Sequence, residues 1–182
     1  MTRRVPLELV PDAVLELVAG AVRPVVLLDG GSGAGKTSLA GLIAAAWRVS
    51  RPDPLQVVSL DDVYPGWEGL AAASAAVPRI VSADGPGYRR WNWETSEHLG
   101  WVGVDAHHPI LVEGCGSLTR EASRLATCRI WLEADESVRK QRALARDQGD
   151  FDPYWDLWTT QEHVHWQSNH PWQLADLIAR ST

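Results

Sequence analysis

Eight consecutive residues near the start of the chain, GGSGAGKT from Gly30 to Thr37, bring together four glycines, a lysine and two hydroxyl side chains. They satisfy G-x-x-x-x-G-K-[ST] in full, a pattern that a chain of this length matches by chance on the order of once in a hundred. The residue types have a physical reason. Successive backbone N–H groups must turn inward around a polyphosphate, so glycine is favoured where φ is unusual or the backbone approaches the ligand closely. A helix opening at the end of the loop adds its partial positive charge. Lys36 carries a full charge to the β- and γ-phosphates, and the Thr37 hydroxyl is placed to ligate Mg²⁺. ATP and Mg²⁺ are therefore the expected ligands, held by Gly31, Ser32, Gly33, Ala34, Gly35, Lys36, Thr37 and Ser38.

A phosphate cradle says that a nucleotide binds and not what is done with it. LQVVSLDDVY places Asp61 and Asp62 at the carboxyl end of a second strand, the edge where α/β proteins gather ligands. Either carboxylate could accept the proton of a hydroxyl attacking the γ-phosphorus, or could instead cap a helix. Arg139, Arg142 and Arg146 share one helix face at i, i+3 and i+7, either as a solvated basic stripe or as a clamp on phosphates. Tyr88, Arg89, Arg90, Trp91 and Trp93 could form an acceptor pocket, with rings stacking on the acceptor and arginines pairing with an anion or hydroxyls. The same tryptophans could equally cap the core. His163, His165 and His170 lack a metal-site spacing, and Cys115 and Cys128 read as small buried residues.

The elements that must position these residues alternate. Apolar runs at 25–28, 55–60, 109–114, 128–134 and 175–180 are mostly continuous, as in strands buried on both faces of a parallel sheet. Helical patterns are expected over Lys36–Trp47, Glu94–Val102, Thr119–Ala126, Glu136–Arg146 and about Asp156–Trp166, with an amphipathic helix from Pro11 to about Gly20. The Ala-rich 69–78 reads as a short helix, and 82–93 as an exposed loop. The expectation is an α/β class with a parallel sheet of about five strands flanked by helices, in one domain over residues 1–182.

DGGSGAGKTSLA followed by VVSLDDVY resembles the uridine kinase and phosphoribulokinase-like group of P-loop kinases. LVEGCG at 111–116, VRKQRALARD at 138–147 and HPWQLADLIAR at 170–180 continue that resemblance in order. It implies a P-loop NTPase fold with a short lid, Asp61 as the base and Tyr64 beside the substrate. It further implies Glu113 near the metal or its waters, and Arg142 and Arg146 as lid arginines. The Asp-His-Pro segment that uridine kinases use for the nucleoside is absent, and GPGYRRWNWET stands roughly in its place.

With 17 basic and 23 acidic residues the net charge is -6, which opposes nucleic-acid binding. No uncharged apolar stretch reaches membrane-span length, so a cytoplasmic location is expected, with no membrane partner. The function expected is transfer of the γ-phosphate of ATP to a hydroxyl of a nucleoside-like or other small metabolite. The alternative is a nucleotide-binding switch or assembly ATPase acting on a protein partner.

Overall fold

Val25 and Leu27 pack into one apolar cluster while Val26 and Leu28 pack into another, so this run is continuous because both faces of its strand are covered. The computed structural model describes residues 2–146, 149 and 151–182. Strands β1 (Arg3–Arg4), β2 (Val25–Gly30), β3 (Gln56–Ser59), β6 (Ile110–Glu113), β7 (Cys128–Glu133) and β8 (Leu177–Arg180) form one sheet. Its spatial order is β1-β8-β7-β2-β6-β3, with every neighbouring pair parallel. β4 (Gly87–Asn92) and β5 (Glu97–Gly103) pair apart from it as an antiparallel hairpin.

Helices α1 (Val10–Leu17) and α2 (Lys36–Ser50) cover the face that carries Val26 and Leu28. In α2, Leu39, Ile43 and Trp47 recur at helical spacing and are buried, each worth about 1.5–3 kcal/mol relative to exposure. The helix stops where Arg51 turns extended immediately before Pro52, a residue that disfavours a helical predecessor. Helices α3 (Leu70–Val81), α4 (Arg120–Ser123), α5 (Glu136–Arg146) and α6 (Trp155–Asn169) contribute Val77, Ala122, Ala143 and Trp158 to the cluster that holds Val25 and Leu27. A last short helix, α7 (Pro171–Leu174), precedes β8. Among the described residues, no helix is long and apolar enough to cross a membrane.

To the five strands expected, the structure adds a sixth at the edge, where Arg3 and Arg4 pair with Leu177 and Ile178. Two arginines carry no apolar pattern, and what holds them is backbone pairing plus ion pairs from Arg3 to Glu16 at 3.2 Å and from Arg4 to Glu133 at 2.9 Å. The helix expected over Glu94–Val102 is instead the turn and second strand of the hairpin, and of the loop expected over 82–93 the part from Gly87 to Asn92 is its first strand. Asn92 starts its turn by accepting a hydrogen bond from the Glu94 amide at 2.9 Å. At its far end Gly87 has a φ of 152°, and any Cβ there would run into the Val102 carbonyl and the Trp101 ring. α3 also runs past Pro78 to Val81, three residues beyond the expected end.

Candidate active site

β2 lies in the middle of the sheet, and the register sets Leu28 of β2 and Ser59 of β3 beside Glu113 of β6. The carboxyl ends of three strands therefore meet around the loop that leaves β2. Gly33 and Gly35 take left-handed φ values of 77° and 96°, which bend this loop before α2 begins at Lys36. Arg139 of α5 lies directly against Gly31 and Gly33, so neither position has room for a Cβ.

Lys36 is buried, and its Nζ donates to the Gly31 carbonyl at 3.0 Å and contacts Cys115 Sγ at 3.3 Å. Burial alone would lower its pKa, but the Cys115 sulfur and the carboxylates of Glu113, Glu162 and Asp29 outweigh that and raise it. Lys36 therefore stays cationic. Thr37 Oγ1 and Ser59 Oγ both donate to Glu113 Oε1, at 3.2 and 2.7 Å. Burial raises the Glu113 carboxyl above the ordinary range, with Lys36 opposing it.

Asp61 and Asp62 follow β3 in a short 3-10 turn, Leu60–Asp62. Ser59 caps that turn, its Oγ accepting from the Asp61 amide at 3.3 Å, so neither aspartate is needed for capping. The two then part. Asp61 lines a cavity of about 790 Å³ that also contains Lys36, Thr37 and Glu113. Asp62 pairs with Arg90 of the hairpin at 3.2 Å.

The three arginines of α5 divide similarly. Arg139 is 4 % exposed and donates to the Ser32 carbonyl and to Glu162 Oε2, both at 3.1 Å, so it supports the loop from behind. Arg142 and Arg146 line the cavity, and Arg142 Nη1 donates to Ser181 Oγ at 3.1 Å. The Arg-Asp ending expected for this helix continues into Asp147, which lies outside the described residues.

Of the five residues expected to hold an acceptor, only Trp93 reaches the cavity wall, where Tyr64 joins it. Tyr88 belongs to the core cluster, Arg89 is exposed away from the cavity, Arg90 is paired with Asp62, and Trp91 packs edge-on against His98 at 5.0 Å. The reason is strand alternation: adjacent residues of a strand point to opposite faces, so a contiguous run cannot line one pocket.

Sequence reasoning did not find the polar face of α6. Glu162 Oε1 accepts hydrogen bonds from the Ser32 amide at 2.5 Å, Trp158 Nε1 at 3.2 Å and Cys115 Sγ at 3.3 Å. One turn further on, His165 Nε2 meets Asp29 Oδ2 at 3.0 Å, and Asp29 in turn receives the amides of Gly30, Gly116 and Leu118. Trp158, Glu162, His165 and Asn169 recur at i, i+4, i+7 and i+11, a helical spacing that could have grouped them.

No protein-family model matches the chain, and no curated protein matches it. Solved structures do. A candidate uridine kinase from Bacillus stearothermophilus superposes with a TM-score of 0.64 at 18% identity, covering 93% of this chain and 96% of that one. A candidate fructose transport system kinase from Silicibacter sp. TM1040 gives 0.62 at 19% identity, covering 96% and 98%. YFH7 from Saccharomyces cerevisiae, a candidate P-loop kinase with a circular permutation, gives 0.55 at 11% identity, covering 98% and 100%. With its mostly parallel sheet flanked by helices and its glycine-rich loop leaving the central strand, the chain has the fold of the P-loop kinases, uridine kinase-like structures among them.

Proposed function

We propose that the protein is an ATP-dependent small-molecule kinase. The observation that carries this reading is that Asp61, whose carboxylate forms no ion pair among the described residues, faces the same cavity as Lys36, Arg142 and Arg146. A proton acceptor and a set of phosphate-binding cations share one space. The triphosphate lies along Gly31–Ser38 with its β- and γ-phosphates at Lys36, and the acceptor hydroxyl lies at Asp61. The acceptor oxygen bonds to the γ-phosphorus as the bond to the β–γ bridging oxygen breaks, and ADP leaves. Asp61 takes the hydroxyl proton. Arg142 and Arg146 neutralise charge on the transferring group.

The hard oxygen donors of Thr37 and Glu113, 3.2 Å apart, fit Mg²⁺, which takes most of its remaining ligands from phosphate and water. When bound, the ion would neutralise phosphate charge.

Asp61→Asn tests the assignment. The variant should keep Mg·ATP affinity within a few fold and lose about 10²–10⁴ in transfer rate, while Asp62→Asn should stay near wild type. Retained transfer in Asp61→Asn would remove the base assignment. ATP hydrolysis stimulated by a protein partner, with transfer to no acceptor, would favour the switch instead.

A further inference from the structure

The cavity lining is of two chemical kinds. One is the loop, Lys36 and Arg142, whose partner Ser181 also donates to the Ala34 carbonyl at 2.7 Å. The other is a wall of rings, Tyr64, Trp67, Trp93, Phe151 and Trp158. These rings come from the segment after β3, the hairpin turn, the segment before α6, and α6 itself. They brace one another. Trp67 stacks on Phe151 at 5.0 Å and 14° and on Tyr154 at 4.6 Å and 9°, and Trp158 meets Tyr64 edge-on at 4.8 Å. A ring entering here meets walls that are already ordered, so little conformational entropy opposes its binding.

Among the described residues, the polar side-chain atoms of this wall, all but the Trp67 indole N–H, are engaged with the protein. Tyr64 Oη donates to the Cys115 carbonyl at 2.8 Å, Trp93 Nε1 to the Asp61 carbonyl at 2.8 Å, and Trp158 Nε1 to Glu162 Oε1 at 3.2 Å. The nearest amide, Gln161, donates to the Trp67 carbonyl at 2.7 Å and accepts from the Leu70 amide at 3.3 Å. With Tyr64, Phe151 and Trp158 buried, the wall presents the rings of Trp67 and Trp93, one indole N–H at Trp67 and one carboxylate, Asp61. A base with several donors and acceptors on its edge would lose its water there and regain few of its hydrogen bonds. A cationic acceptor would meet Lys36, Arg142 and Arg146 in the same cavity and would engage the carboxylate that must take the proton. Arg89 and Arg90 stand outside the wall, and the cations that do line the cavity are the ones assigned to the triphosphate, which an anionic acceptor would have to approach against its charge.

Building on the kinase reading, we propose that the acceptor is an uncharged alcohol whose hydroxyl is carried by a flat, weakly polar ring, with the ring against Trp93 and the hydroxyl at Asp61. Trp93 is the ring to test, because its partial exposure makes it part of the ligand's wall more than of the core.

The experiment is calorimetry on the full chain with Mg²⁺ and a non-hydrolysable ATP analogue, using three probes. Tryptophol is the uncharged ring alcohol, uridine has a polar edge, and indole-3-lactate adds a carboxylate. Tryptophol should bind about tenfold more tightly than either. Trp93→Ala should weaken tryptophol about tenfold, and Trp93→Phe, which keeps a ring, should retain most of the affinity. Tighter binding of uridine or indole-3-lactate, no tryptophol binding, or unchanged tryptophol affinity in a folded Trp93→Ala variant would overturn the inference. Phosphorus NMR with ATP separates the two claims. Tryptophol bound with this preference but never converted to its phosphate monoester would leave the acceptor-site chemistry standing and remove the kinase reading.

Discussion

Glu162 reaches from α6 to the glycine-rich loop and is 1 % exposed, and its carboxylate is held there by Arg139 and three other donors. Glu162→Gln keeps the size and one acceptor but leaves the Arg139 guanidinium buried without a counter-charge. The variant should lose ~3 kcal/mol of stability, read as a lower urea midpoint at unchanged slope. Mg·ATP affinity should fall with it, because the Ser32 amide loses a charged acceptor. A wild-type midpoint would mean that the pair contributes no net stability. The contrast with Lys36 shows what sequence can convey. Phosphate binding demands particular residue types in contiguous order, so Lys36 and Thr37 are legible in eight residues. Glu162 finds Ser32 across a separation of 130 positions, and no local pattern encodes that meeting.

At the scale of elements, the loop between β2 and α2 is held open by its glycines and closed from behind by α5. Gly33→Ala would put a side chain in a left-handed conformation at ~1–2 kcal/mol and drive its Cβ into the Arg139 backbone. The variant should melt lower and bind Mg·ATP at least about tenfold more weakly. Gly41, in α2 just after the loop, is the control, because a Cβ there meets nothing within 4 Å. Gly41→Ala should stabilise by ~0.5–1 kcal/mol through backbone entropy and leave ATP affinity unchanged. Equal destabilisation of both variants would mean that the left-handed geometry of the loop is not what Gly33 contributes. The strands at 25–28 and 110–113 were legible because burial on both faces makes their apolar runs continuous. The hairpin was not. Its second strand carries Gly100 and Gly103 among exposed residues, and its pairing depends on a partner strand that itself read as a loop.

At the scale of the molecule, residues of α2, β6, α5 and α6 and of the segments that follow β2 and β3 meet in one cavity only when the sheet and both helical layers are in place. The unfolded chain presents no such cavity, so a ligand held there must stabilise the fold by mass action. Mg·ATP at a hundred times its dissociation constant should contribute about 2.7 kcal/mol. For a chain of this size that raises the melting temperature by roughly 5–10 °C. Lys36→Ala removes the buried cation assigned above to the β- and γ-phosphates. An affinity loss of about a hundredfold would leave a shift of only about 1–2 °C at the same ATP concentration. The comparison must be made against each protein's own melting temperature without nucleotide, because Lys36 also donates to the Gly31 carbonyl and its loss alters the unliganded loop. Equal shifts in the two proteins would mean that ATP binds without Lys36, and the phosphate-loop assignment would fail. A full shift in the wild type that also survives omission of Mg²⁺ would instead retain the loop and remove the metal role given to Thr37 and Glu113.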